Sequence, residues 1–193
     1  MLRLVPRRPA LLTLLLLAAL VGTSVSTHAQ SVIGTISVGT QPYGIAYNSA
    51  ANRIYVANSD GSTVSVIDGV TNTVLTSVTV GQFPQGVAVN PTTNLIYVAN
   101  FDGNSVSVIN GATNTVVGTI PVGNNPFGVT TQPITNRVYV TNPGNATLSI
   151  IDGRASKVVS TLTVGNVSRE VTVNPTTNHV YVANANSNNV SVI

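Results

Sequence analysis

Cysteine is absent from this chain of 193 residues. No disulfide framework can brace the fold, even in an oxidising compartment, and there is neither a thiolate nucleophile nor a cysteine metal site. Charge is nearly as scarce, with Asp, Glu, Lys and Arg together making up 7% of the residues. Nucleic acids and anionic membrane surfaces are held by clustered Lys and Arg, and beyond Arg8 the chain has no such cluster. Histidine is limited to His28 and His179, and glutamate to Glu170. Zinc would need further good ligands beside His179, and a catalytic triad would need a partner at a recognisable spacing; neither is present. Calcium takes about six to eight oxygen ligands, whereas Asp60, Asp68, Asp102 and Asp152 stand one to a loop, and Asn110 replaces the carboxylate in one copy. These shortages predict no metal site, no cofactor and no nucleic-acid partner. Stability has to come from burying apolar surface.

The first 29 residues read as a secretory leader. Arg3, Arg7 and Arg8 form a basic start, Ala10–Val21 is apolar apart from Thr13, and Thr27-His28-Ala29 puts small residues at a cleavage site after Ala29. The apolar run is shorter than the roughly 20 residues of a membrane span. An uncleaved anchor is the alternative; after cleavage no membrane insertion is expected. The formal charge of +3 belongs to this leader. In the remainder, Arg53, Arg137, Arg154, Lys157 and Arg169 balance Asp60, Asp68, Asp102, Asp152 and Glu170. The expected organisation is a signal at 1–29 and a folded part at 30–193, placed in the periplasm, at the cell surface or outside the cell.

What the chain does have is a period. Tyr-Val-Ala/Thr-Asn starts at Tyr55, Tyr97, Tyr139 and Tyr181, each 42 residues after the last. A fixed repeat of this length marks an array of supersecondary units. Within one period, Gly86–Asn90, Leu95–Asn100, Ser105–Ile109 and Val116–Val122 read as short strands, separated by Pro-Thr-Thr-Asn, Phe-Asp-Gly-Asn and Asn-Gly-Ala-Thr-Asn turns. Asp-Gly is expected to supply the positive φ of the hairpins. Four short antiparallel strands per repeat is the layout of a propeller blade. Pro121 assigns the fourth strand to the blade's outer edge, because proline cannot donate to a ladder. The first strand is then innermost. The second strand, apolar on both faces, is buried between blades.

These residues resemble the YVTN family of β-propeller repeats, named for the tetrapeptide that stands here at Tyr139–Asn142. The resemblance implies an all-β propeller of four-stranded antiparallel blades, exported by a bacterium or archaeon and often of about seven blades. About four repeats are present. Val32–Gly39 matches a fourth strand, and Ile193 matches the end of a third. The ends therefore suggest a piece of a larger propeller with an incomplete final blade. The function implied is a non-catalytic scaffold or binding module at the cell envelope that holds a protein, glycan or small ligand. A lactonase-like or lyase-like enzyme, with its remaining site residues in missing blades, is the alternative.

The repeated Tyr and Asn are expected to be structural, with Tyr hydroxyls partnered at the rim and Asn side chains bonded to local backbone. Function is expected where the repeat breaks. Three copies enter the innermost strand as Pro42-Tyr43-Gly44, Pro84-Gln85-Gly86 and Pro126-Phe127-Gly128, and the fourth as Ser168-Arg169-Glu170. The candidate ligand-binding residues at the channel mouth are accordingly Tyr43, Gln85, Phe127, Arg169 and Glu170. Arg169 would receive an anionic group between the aromatic walls of Tyr43 and Phe127.

Overall fold

The computed structural model describes residues 31–193; the leader expected at 1–29 lies outside them. Alternating β-branched residues and Asn-rich turns form a succession of antiparallel meanders. The first comprises β1 (Pro42–Asn48), β2 (Arg53–Asn58), β3 (Thr63–Asp68) and β4 (Val74–Thr79). The second comprises β5 (Pro84–Asn90), β6 (Leu95–Asn100), β7 (Ser105–Asn110) and β8 (Thr115–Pro121). The third comprises β9 (Val129–Gln132), β10 (Arg137–Asn142), β11 (Thr147–Asp152) and β12 (Lys157–Thr163). The fourth has three strands, β13 (Ser168–Val173), β14 (Val180–Asn184) and β15 (Asn189–Val192). The expected strand order holds: β1, β5, β9 and β13 lie beside one another in succession at the inner side of the sheets. Pro121 ends β8, an edge strand. The fourth strand expected at Val32–Gly39 does not form, and residues 31–38 carry no strand. A strand needs a neighbouring ladder, and β15, the open edge matching it in register, belongs to the last sheet.

The turns work differently from the Asp-Gly expectation. No described glycine has a positive φ. The left-handed residue is instead the last of each turn: Asn52, Asn94, Asn136 and Asn178 after the first strands, and Ser62, Asn104, Ala146 and Asn188 after the second. Asparagine tolerates this region better than other side chains. After the third strand, Asp68 accepts the N–H groups of Val70 at 2.8 Å and Thr71 at 2.9 Å. Asp152 does the same for Arg154 and Ala155, and Asn110 accepts from Ala112 at 2.8 Å. The backbone N–H groups of Thr71 and Val70 hold the Asp68 carboxyl below its usual range.

Packing between sheets makes the core. Tyr55, Val64, Val66 and Val78 of the first sheet meet Ile96, Val98 and Ile109 of the second. One period later, Tyr97, Val106, Val108 and Ile120 meet Val138, Val140 and Ile151. Tyr139 and Leu148 then meet Val171, Val180 and Val182. Successive residues of the second strand thus face opposite neighbours, as its apolar sequence implied. The hydroxyls of Tyr55 and Tyr97 are buried without a partner, contrary to the expectation of one at the rim. The apolar contact of the rings outweighs an unmade hydrogen bond. Burial, and then the Asp152 charge, push the Tyr97 hydroxyl's pKa up.

The repeated Asn bonds mainly side chains, and Asn142 Nδ2 also reaches the backbone carbonyl of Thr147 at 3.4 Å. Asn100 Nδ2 donates to Ser105 Oγ at 3.1 Å and Ser107 Oγ at 2.9 Å, clamping the second strand to the third. Asn58, Asn142 and Asn184 repeat the clamp. A Cβ on Gly81 would stand 2.6 Å from the Asn100 amide carbon, so the glycine after each fourth strand leaves room for this amide. A second set of amides ties sheet to sheet: Asn48 Nδ2 donates to Asn94 Oδ1 at 2.6 Å, Asn90 Nδ2 to Asn136 Oδ1 at 2.8 Å and Gln132 Nε2 to Asn178 Oδ1 at 3.2 Å.

Replacing Asn100 by Ala removes the donor to the buried Ser105 hydroxyl, while Ser107 Oγ still accepts from the Gly81 N–H at 3.3 Å, and is expected to cost about 1–3 kcal/mol, measured by urea unfolding. The pH dependence has a defined sign at Asp68. Its folded-state pKa is depressed, so its contribution is present above the unfolded value of about 3.9 and is lost as pH falls through the folded value. Asp68→Asn, which mimics Asn110, is expected to keep the turn and remove this share of the acid sensitivity. Urea midpoints between about pH 2 and 7 that change identically in variant and wild type would contradict it.

Candidate functional site

Glycines at the inner strands decide what can reach the axis. A Cβ on Gly44 would collide with the carbonyl oxygen of Gln85, one on Gly86 with that of Phe127, and one on Gly128 with that of Arg169. The Gly86 N–H donates to Phe127 O at 3.1 Å across the same gap. The inner strands therefore approach closely because these positions lack side chains. The ladder also slips here, between Pro42 and Ile45, Pro84 and Val87, and Ser168 and Val171. Bulges of this kind re-aim side chains.

The re-aimed residues meet in part. Tyr43 and Phe127 lie edge to face with ring centroids 5.6 Å apart. The Arg169 Cζ stands 4.9 Å from the Phe127 centroid, a cation–π contact. Phe101 approaches Phe127 at 6.4 Å and Phe83 at 6.2 Å, so all three phenylalanines of the chain join one row. Phe83 and Phe101 were not among the residues picked out from the sequence. They sit in loops of different types, and only the fold shows that these loops share an end of the sheets. Gln85 departs from its expected place. It is 4% exposed and donates from Nε2 to Ser59 Oγ at 3.4 Å, away from the cavity.

A cavity of about 220 Å³ opens among the inner strands, lined by Tyr43, Ile45, Val87, Phe127, Val129 and Glu170 with Gly44 and Gly86. Arg169 faces a separate groove of about 230 Å³ with Phe101, Asn125, Pro143 and Val167. The two adjacent charges thus serve different hollows and do not pair; the ion pair among the described residues joins Arg137 Nη1 and Asp152 Oδ2 at 2.8 Å. The expected clamp, with Arg169 holding an anion between Tyr43 and Phe127, is therefore rearranged. The guanidinium rests against Phe127, and Glu170 lines both the axial cavity and a second hollow of about 320 Å³ with Val171, Thr172, Tyr181, Ala183 and Val190. Among the described residues no three His, Cys, Asp or Glu side chains are grouped as a metal site. His179 is exposed and packs edge to face with Tyr181 at 6.4 Å.

Glu170 occupies the position of Gly44, Gly86 and Gly128. Each of those glycines receives a carbonyl of the next inner strand. Residue 170 instead carries a Cβ at this position.

No protein-family model matches the chain, and no curated protein matches its sequence. Solved structures do. Hydrazine synthase from Kuenenia stuttgartiensis superposes with a TM-score of 0.73 at 25% identity, over 84% of this chain and 48% of that one. A functionally unknown protein from Desulfotomaculum acetoxidans DSM 771 superposes with a TM-score of 0.74 at 14% identity, over 88% of this chain and 60% of that one. The fold is propeller-like. This chain spans between about half and three-fifths of the length of these two structures.

The glycine rule has a direct check. Gly86→Ala is expected to lower stability by about 1–3 kcal/mol through overpacking, whereas Glu170→Ala changes it by less than about 0.5 kcal/mol. Equal effects in chemical denaturation would show that residue 170 obeys the same packing constraint.

Proposed function

We propose that this chain is a non-catalytic, exported binding module built from YVTN-type repeats, and that it holds its ligand at the axial cavity. The observation that carries the reading is Glu170. At the one inner-strand position where the repeat exchanges glycine for a carboxylate, the side chain lines a cavity walled by Tyr43 and Phe127. Loops and strand ends on a rigid scaffold are where binding residues concentrate. Pockets that enclose a drug-sized ligand measure roughly 300–1,000 Å³. The axial cavity, at about 220 Å³, suits a small molecule or one projecting group of a protein or glycan. The leader-like sequence at 1–29 supports export to the periplasm, cell surface or medium.

The reading includes further blades. Ile45 and Tyr47 on the first sheet are 68% and 58% exposed, and Val190 and Val192 on the last are 56% and 60% exposed. Val87 and Val89, the counterparts of Ile45 and Tyr47, pack into the first intersheet core. Apolar sheet faces of this kind favour a cover, which supports membership of a larger propeller.

An isotope-labelled full chain titrated with a small-molecule fragment library tests the proposal. Ligands are expected to perturb Tyr43, Phe127 and Glu170 first. A stoichiometric metal ion at the axis, together with turnover of a lactone or polysaccharide substrate, would replace the binding reading with the enzymatic one.

A further inference from the structure

We infer that the axial cavity selects a small organic cation, a primary or quaternary ammonium group held between the Glu170 carboxylate and the Tyr43 ring. This rests on the cavity being the binding site proposed above, and it adds the chemical class of the ligand.

The lining contains one formal charge, and it is negative. Apart from Glu170, the side chains that face the cavity are Tyr43, Ile45, Val87, Phe127 and Val129. None of them carries a positive charge, and the Tyr43 hydroxyl is the one side-chain hydrogen-bond donor among them. Such a wall suits a cation with an apolar surface and offers an anion little.

Among the described residues Glu170 also has no ion-pair partner. Arg169 precedes it in sequence, yet the two form no ion pair. The guanidinium is turned into the neighbouring groove, where the face of Phe127 takes it at 4.9 Å. Neither of the two hollows that Glu170 lines has a cationic side chain in its wall. That same contact shows what this aromatic row does with a cation. Phe127 is 7% exposed and already engaged by Arg169, Phe101 and Tyr43. Tyr43 is 55% exposed and keeps surface free for a second cation. A carboxylate beside an exposed aromatic ring is the chemistry that retains alkylammonium groups. The volume of about 220 Å³ suits an ammonium headgroup better than an extended chain.

The test is an NMR titration of the full chain with three probes: choline, its uncharged isostere 3,3-dimethylbutan-1-ol, and benzoate. Choline is expected to bind with shifts at Tyr43 and Glu170, and the isostere to bind about tenfold more weakly or less. Glu170→Gln, which keeps size and removes charge, is expected to weaken choline about tenfold or more while leaving isostere binding unchanged. Tyr43→Leu is expected to weaken choline with little effect on thermal stability. Equal affinity for choline and the isostere, or an unchanged Glu170→Gln variant, overturns the inference. If benzoate binds, choline does not, and Arg169→Ala abolishes benzoate binding, the cation assignment is wrong and the binding module stands. If none of the three probes perturbs the cavity residues, the cation inference falls, and the module reading then rests on the fragment screen alone.

Discussion

Each sheet of this protein is apolar on both faces, and neither face can be covered from within its own sheet. Tyr97 and Val108 on one side and Ile96 and Val98 on the other must each find a neighbouring sheet. With no cysteine and few charges, nothing else in the chain holds the units together with comparable strength. Stacking of consecutive sheets is therefore the constraint from which the rest follows. It demands that each repeat present matching faces at one spacing, and the 42-residue period supplies them. Polar groups refine the stack. The Asn48–Asn94, Asn90–Asn136 and Gln132–Asn178 bonds link sheets near their first turns, while the Asn58, Asn100, Asn142 and Asn184 clamps keep each sheet internally rigid.

Close approach at the axis is the second consequence. Sheets that radiate from an axis converge on it, so their inner strands come nearest where side-chain space is smallest. Gly44, Gly86 and Gly128 meet that condition. Glu170 departs from it, and the departure puts a carboxylate into a cavity otherwise lined by apolar and aromatic groups. A local relaxation of the packing rule and the gain of a chemical group thus coincide at one residue.

Much of the architecture was legible in the sequence because strand alternation and turn chemistry are local. Leu95–Asn100 and the outer position of Pro121 needed nothing beyond period-two patterning and the missing N–H of proline. Local reasoning went astray where two conformations were equally open to it. The positive φ of the second turns fell on Ser62 and Asn104 rather than on the adjacent Gly61 and Gly103, and the positions matching those glycines hold Asn145 and Ser187 in the other two repeats. The partners of Asn100 were missed for a related reason. Ser105 and Ser107 lie five and seven residues on, and alternation alone does not say which hydroxyl faces the amide.

The sequence by itself determined the all-β class, the length of the repeating unit, the order of strands within it and the position where the repetition breaks, because all of these rest on local propensity compared between copies. Only the tertiary structure decided that Arg169 and Glu170 face different hollows, that Gln85 is buried beside Ser59 while Tyr43 stays open, and that Phe83 and Phe101 join Phe127. Equivalent positions in a repeat share a backbone, but each inherits a different neighbour. The direction and partner of a side chain at the axis depend on the adjoining sheet, which no single repeat encodes.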